Sequence, residues 1–293
     1  MRALAVMFLL VSTSFAQTAL QQAIRKIAAE SPGSVAVACA LPRSGINCDL
    51  DPHAHPPMQS VFKLPLAITV LHRVEQGRLS LDQSLRFRAG DRILPHTNSP
   101  LQDKYPAGEV GVPLRELLRL TLVFSDNVSA DILLRAVGGP DIVNTYMKSL
   151  GVEGFHLMDG EQALHRDAQV QYRNWFEPAG AVQLLRLISE APPLTPAHTQ
   201  LLLGWMNGAS VTTHRLNGEL PPGTIVLHKT GTSQTDHGLT YATNDVGLIV
   251  LPDGRRLAIA VFVTDSTADL ATRERVIARI ARAAYDEACR SQK

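Results

Sequence analysis

The sequence predicts an α+β protein: one antiparallel sheet built from both chain ends, flanking helices, and an all-helical insertion between the ends. Three observations carry this. Strand-like apolar runs lie at 35–50 and again at 224–264. The middle, from Val112 to Asn207, places its apolar residues at helical spacing and offers no convincing strand. Asp253-Gly254 is a strong hairpin turn between the last two apolar runs.

Element by element, Thr18 to Glu30 reads as an amphipathic helix stopped by Pro32-Gly33. Val35–Leu41 and Ile46–Leu50 read as a hairpin. Ser60–Gln76 reads as a helix, with Val61, Leu64, Ala67, Ile68 and Leu71 at helical spacing. Helices follow at Leu114–Phe124, Val128–Val137, Ile142–Leu150, Gly180–Glu190 and Pro196–Asn207. Thr224–His228, Ala242–Leu251 and Leu257–Thr264 read as strands, and Ala268–Cys289 as a closing helix. The domain expectation is an α/β part from 17–59 and 208–293 around a mostly helical part at 60–207. Catalytic groups would meet at the seam between the two.

Residues 1–16 read as a secretory signal peptide. Met1-Arg2 supplies the positive start, Ala3 to Val11 the apolar run, and Ser14-Phe15-Ala16 the small-x-small cleavage site. The run is too short to span a membrane. The expectation is an exported, periplasmic protein, monomeric and without a membrane anchor. The 293 residues are 45% hydrophobic with a formal net charge of +1, an ordinary globular composition. No basic face or Lys/Arg cluster supports a nucleic-acid partner.

An exported chain meets oxidising conditions, so the three cysteines matter. A hairpin centred between Arg43 and Ser44 sets Cys39 directly opposite Cys48, close enough for a disulfide. The alternative is two buried free thiols, since a shift of one residue in register removes the pairing. Cys289 has no partner in sight and reads as free.

Three short motifs occur in order: Ser60-Val61-Phe62-Lys63, Ser125-Asp126-Asn127 and Lys229-Thr230-Gly231. A lone Ser-x-x-Lys is expected about once by chance in such a chain, and each tripeptide in fewer than roughly one chain in ten. The set in this order is far rarer than any member. Its spacing has a physical reason. Serine and lysine at i, i+3 share a helix face, so the lysine can move the proton of an otherwise inert hydroxyl.

With these motifs the chain resembles the class A serine β-lactamases over nearly its whole mature length, and most closely the PER/VEB-type extended-spectrum branch. Supporting stretches are Pro57–Leu64, Gln169–Tyr172, Asn174-Trp175 and His228–Ser233. The resemblance implies the serine β-lactamase/transpeptidase-like fold and resistance by hydrolysis of penicillins and cephalosporins, with no cofactor and no metal. It implies Ser60 as nucleophile, Lys63 as its proton partner, and Ser125 as proton relay to the leaving nitrogen. Asn127 would bind the substrate's acylamino group, and Lys229 and Thr230, beside Gly231, its carboxylate. The backbone N–H groups of Ser60 and Thr232 would form the oxyanion hole. Glu161, in the run Glu161-Gln162-Ala163-Leu164-His165, would activate the deacylating water. Its share in acylation, against that of Lys63, stays open.

Two departures from the family pattern stand out. His165 replaces an asparagine that helps to hold the water. Asp159 and Asn174 stand where many members have an Arg–Asp pair clamping the loop, so that loop must be held another way, as in the PER-type branch. Arg215 has two readings: a charge aimed at the substrate carboxylate, or a surface arginine. His96–Pro100 offers no aromatic at the mouth of the site. His53 and His55 resemble a metal pair but sit in a Pro-rich loop with no third ligand fixed nearby. Trp175 and Trp205 read as core. The rival functions are a penicillin-binding D-Ala-D-Ala peptidase and a β-lactam sensor domain that stays acylated; Glu161 argues against both.

Overall fold

The computed structural model of the chain describes residues 18–95, 97–164, 168–209 and 214–290. The leader expected at 1–16 lies outside the described residues, as do His96 and His165.

The N-terminal helix α1 (Ala19–Ala28) starts at a capping box, in which Thr18 and Gln21 satisfy each other's backbone N–H. Strand β1 (Ser34–Ala40) follows, then α2 (Lys63–Glu75), β2 (Ser84–Phe87) and α3 (Pro100–Lys104). Next come β3 (Val110–Pro113), α4 (Leu114–Val123), α5 (Asn127–Val137), α6 (Pro140–Ser149), β4 (Phe155–His156) and α7 (Glu161–Leu164). The chain continues through β5 (Trp175–Phe176), α8 (Pro178–Glu190) and α9 (Pro196–Asn207). It ends in β6 (Val226–Thr232), β7 (Thr235–Asp236), β8 (Leu239–Val250), β9 (Arg256–Ser266) and α10 (Leu270–Arg290).

The main sheet joins the two chain ends as expected. Its strands run β1-β9-β8-β6, all antiparallel, with β7 paired to β8. Alternation along β1 sends Val35, Val37 and Cys39 to one face and Ala36 and Ala38 to the other. The first face packs on α1 and α10 through Ile24, Ile277 and Ile280. The second face, kept shallow by Ala36, Ala38, Ala258 and Ala260, meets α8. Helix α2 is buried along most of its length, from Lys63 to Leu71, and forms the axis of the helical part. Among the described residues no helix is long and apolar enough to cross a membrane.

The hairpin register holds, with one change. Val37 and Leu50 exchange both backbone hydrogen bonds, at 2.7 and 3.1 Å, and Cys39 and Cys48 are disulfide-bonded with Cα atoms 5.4 Å apart. The returning arm is no full strand, however: Leu50 makes only an isolated bridge to Val37. Cys289 is free.

Other expectations need correction. The helix expected from Ser60 opens as a 3-10 turn, Gln59–Phe62, and becomes α-helical only at Lys63. The helical middle is not free of strands: β3 pairs with β2, and β4 with β5. These are strands of two to four residues, too short to leave a periodic signal. The strand expected at Thr224–His228 runs on through the Lys-Thr-Gly motif to Thr232. Trp205 is core, but Trp175 is only half-buried, its ring stacked on His55 at 3.7 Å.

Candidate active site

Four segments converge: the turn before α2, the α4–α5 junction, α7, and the end of β6. Ser60 sits in the 3-10 turn, and Gln59 before it adopts φ +48°. Ser125, between α4 and α5, adopts φ +55°. Non-glycine residues held there cost about 1–3 kcal/mol each and persist only where the surroundings enforce them. At Ser125 that enforcement is visible. Asp126 caps α5 through the N–H of Ser129 at 2.7 Å and accepts from Ser99 Oγ and Leu101 N as well. Asn98 Nδ2 donates to the carbonyl of Ser125 at 3.0 Å.

Lys63 is fully buried, and its ammonium is surrounded by acceptors. Nζ donates to Ser125 O at 2.7 Å and Asn127 Oδ1 at 2.5 Å, and lies 2.8 Å from Glu161 Oε1. Ser125 Oγ is a longer contact at 3.4 Å. Ser60 Oγ donates to the same Glu161 Oε1 at 3.1 Å. The expected link from Ser60 to Lys63 thus runs through the carboxylate, not directly between hydroxyl and ammonium.

From the opposite side, Lys229 Nζ donates to Ser125 Oγ at 2.9 Å and to Thr230 O at 2.8 Å. Burial, and then repulsion from Lys63, hold Lys229 well below the ordinary lysine value. Asp245 and Glu161 act in the other direction. Strand β6 can approach this closely because residue 231 is glycine. A Cβ there would lie 2.5 Å from Met58 O and 3.1 Å from the side chain of Gln59. Thr230 is buried in the strand, and Thr232 is exposed at its end.

Arg215 overturns one of its two readings. It is 2% exposed, so it is no surface residue. Its guanidinium donates to Gly231 O at 3.1 Å, Asn244 O at 2.8 Å and Thr232 Oγ1 at 2.7 Å, and pairs with Glu274 at 3.2 Å. It braces the end of β6 and sets the Thr232 hydroxyl.

The loop carrying Glu161 is held by residues that the sequence reading named, Asp159 and Asn174 among them, and by two that it did not, Arg173 and Asp131. Arg173 Nε lies 3.1 Å from Asp159 Oδ2, so an ion pair does close the loop, with the acidic partner at 159 and the arginine one residue before Asn174. Asn174 accepts from Met158 N and Asp159 N and donates to Asp159 O, at 2.8 to 3.0 Å. Gln59 Nε2 donates to Gln171 Oε1 at 2.6 Å, and Tyr172 hydrogen-bonds Asp265. Asp131, on α5, accepts from the backbone of Glu161 and Gln162. His53 and His55 lie apart from this cluster and share the Glu177 carboxylate at 2.7 and 3.1 Å, joining their loop to the start of α8.

The arrangement provides a hydroxyl against a buried carboxylate, two ammonium groups on a second hydroxyl, and a strand end that can receive an anion. Comparison with known proteins bears on what it does. A family model described as the beta-lactamase enzyme family matches residues 19–288. The extended-spectrum beta-lactamase PER-1 of Pseudomonas aeruginosa is 40% identical over 282 residues, covering 96% of this chain and 91% of that one. Beta-lactamase VEB-1 of the same organism is 35% identical over 79% of this chain and 78% of its own length. The crystal structure of a beta-lactamase from Chitinophaga pinensis superposes with a TM-score of 0.88 at 43% identity, covering 92% of this chain and all of that one.

Proposed function

The chain belongs to the beta-lactamase enzyme family and is a class A serine β-lactamase, and from that premise we propose how its residues divide the work. The enzyme hydrolyses β-lactams and thereby confers resistance to them. Ser60 Oγ attacks the lactam carbonyl while its proton passes to Glu161 Oε1, the acceptor 3.1 Å away. Lys63, locked onto that carboxylate, holds it in place and keeps the local charge balanced. As the C–N bond breaks, Ser125, held by Lys229, gives its proton to the departing nitrogen and regains one from Lys63, which takes back from Glu161 Oε1, 2.8 Å away, the proton that came from Ser60, so Glu161 is a carboxylate again.

The acyl ester on Ser60 is then hydrolysed. Glu161 takes a proton from water, the resulting hydroxide attacks the ester carbonyl, and as the acyl C–O bond breaks Glu161 passes that proton to Ser60 Oγ, restoring the hydroxyl and the carboxylate. The backbone N–H groups of Ser60 and Thr232 receive the oxyanion in both steps. Losing one such donor costs about 3–4 kcal/mol of barrier. Lys229, Thr230 and Thr232 bind the substrate carboxylate beside Gly231, with Arg215 acting through Thr232. Asn127 binds the acylamino group.

The observation that carries this reading is the single oxygen, Glu161 Oε1, shared by Ser60 and Lys63. It gives the ester a base within reach, which a peptidase or a sensor domain lacks. Likeness to PER-1 extends the proposed substrates to extended-spectrum cephalosporins. The protein acts as an exported monomer after removal of residues 1–16, with 60–207 as its helical part. Turnover of a chromogenic cephalosporin by the purified mature chain tests the reading. Many products per enzyme support it, and one product per enzyme means a peptidase or sensor.

A further inference from the structure

We propose that Asn244 is a positioning residue for the nucleophile, its side-chain amide fixing the peptide that leads the chain into the Ser60 turn; the inference rests on Ser60 being that nucleophile. Asn244 lies on β8, opposite Gly231 of β6, and is fully buried. Its Nδ2 donates to Pro57 O at 2.9 Å, across 187 positions of sequence.

The row that Asn244 interrupts points to a use for that donor. Alternate residues of a strand share a face, and Ala242, Val246 and Leu248 make this row buried and apolar. An amide placed there brings an acceptor as well as a donor, and Asn244 Oδ1 has no hydrogen-bond partner among the described residues. A leucine would avoid that cost. What a leucine could not do is hold the Pro57 carbonyl.

The same peptide unit is held at its other end. The N–H that follows the Pro57 carbonyl, on Met58, donates to Asn174 O at 3.0 Å, at the end of the loop that carries Glu161. One peptide plane is thus clamped between β8 and the loop of the base. From it the chain enters the turn directly: Met58 O accepts from Val61 N at 3.1 Å, and Gln59 takes φ +48° just before Ser60. A backbone conformation of that kind persists only where the surroundings enforce it. The clamped peptide supplies the enforcement at Gln59.

Asn244 also bears on the other half of the proposed oxyanion hole. Its backbone carbonyl accepts from Arg215 at 2.8 Å, and the same guanidinium nitrogen donates to Gly231 O at 3.1 Å, one residue before Thr232. Asn244 therefore sets the Ser60 N–H through its side chain and the Thr232 N–H through its backbone. The gap between the two donors depends on the reach of one amide.

The test is Asn244→Leu, which fills about the same space and offers no donor. The Pro57 carbonyl then loses its partner and the turn can shift. Single-turnover acylation of Ser60 by a chromogenic cephalosporin should slow about 10- to 100-fold, the scale for a misplacement of about 1 Å at the reacting atoms. Phenylboronic acid adds to the serine oxygen and puts a boron-bound oxygen where the oxyanion forms, so its affinity should fall by a similar factor. A residue that merely held the fold would lower the melting temperature without moving these two readouts together. If the leucine variant does not fold, Asn244→Ala removes the same donor with a smaller side chain and is read in the same assays. Ser60→Ala runs in parallel. Near-wild-type acylation in a folded variant overturns the role of Asn244, and so does slowed acylation with unchanged boronate affinity. Failure of both variants to fold also overturns it, since Asn244 would then serve the fold and not the turn. Wild-type hydrolysis by Ser60→Ala overturns the nucleophile assignment itself, and the present inference with it.

Discussion

Ser60 Oγ and Glu161 Oε1 are 3.1 Å apart and hydrogen-bonded, although 101 positions separate them in the chain. Glu161→Ala should therefore affect both halves of the reaction, unequally. Acylation should slow, because the hydroxyl loses its acceptor, but Lys63 remains in the site. Deacylation loses its only proposed base, a loss of typically 10²–10⁴-fold. Intact-mass spectrometry with a good cephalosporin should show one drug mass, less any leaving group, mapped to Ser60. Wild-type turnover with no adduct would remove Glu161 from the mechanism.

Ser60→Ala removes one hydroxyl from a turn whose backbone is held by other contacts, so the fold should persist. Loss of a nucleophile can cost about 10⁶ in turnover. Unchanged circular dichroism with no measurable hydrolysis is expected. Hydrolysis within tenfold of wild type would refute the assignment.

Gly231→Ala places a methyl against Met58 O and the Gln59 side chain. Strand β6 must then retreat from the Ser60 turn. Overpacking of this kind costs about 1–3 kcal/mol of stability. The loss in kcat/KM should be much larger, because the Ser60 and Thr232 N–H groups move apart. Thermal melts and steady-state kinetics on one preparation would separate the two effects. A variant with wild-type kcat/KM would show that this close approach is not needed.

The disulfide between Cys39 and Cys48 closes a short loop, with a sequence separation of 9. Cys39→Ser should destabilise the protein by about 2–3 kcal/mol on the chain-entropy account. It should leave kcat nearly unchanged, since the bridge lies on the sheet face away from α2. Mass spectrometry of the unreduced, alkylated protein should show one alkylated cysteine, Cys289. Three would mean that the bridge does not form in solution.

Asp131 also predicts a pH dependence of stability. Its value is raised on folding, from 3.8 to about 6, so the folded state holds this proton longer than the unfolded state does. Its contribution is fully present below about pH 4 and is lost as pH rises through about 6, by up to about 3 kcal/mol. Asp131→Asn does not titrate. The stability of the asparagine variant relative to wild type should therefore improve from pH 4 to pH 7. A constant difference in melting temperature over that range would contradict the shift.

Some of this architecture could be read from residue types alone. Ser60 and Lys63 were legible from their spacing, and Ser125, Asn127 and Lys229 from the short motifs they stand in, through the family resemblance that the set carries. Cys39 and Cys48 were legible because the turn at Arg43-Ser44 sets a register that Val37 and Leu50 obey. What escaped was whatever depends on a loop's path. Asp159 and Asn174 correctly excluded an Arg–Asp pair between those two positions. Only the folded loop shows that Arg173 takes over. The burial of Arg215 escaped for a similar reason: its partners Asn244 and Glu274 come from β8 and α10, and no local pattern foretells that meeting. Asp131 sits on an ordinary helix face and becomes informative only when Gly160 lies against it.

Strand β1 finds its sheet neighbour in β9, where Ala38 faces Ala260. That pairing joins opposite ends of the chain, and contacts of such separation form late because loop-closure entropy must be met first. The cysteine bridge needs only the first fifty residues, so it can close while the rest of the molecule is still unmade. The helical middle can collapse around α2 from contacts of moderate separation. Gly231 reaches the Ser60 turn only when β6 docks, and β6 is held by β8. Assembly would then run from bridge to bundle to sheet, and a partly folded chain would hold a nucleophile without an oxyanion hole. Activity should appear during refolding in one step, with completion of the sheet, and not in proportion to helix content.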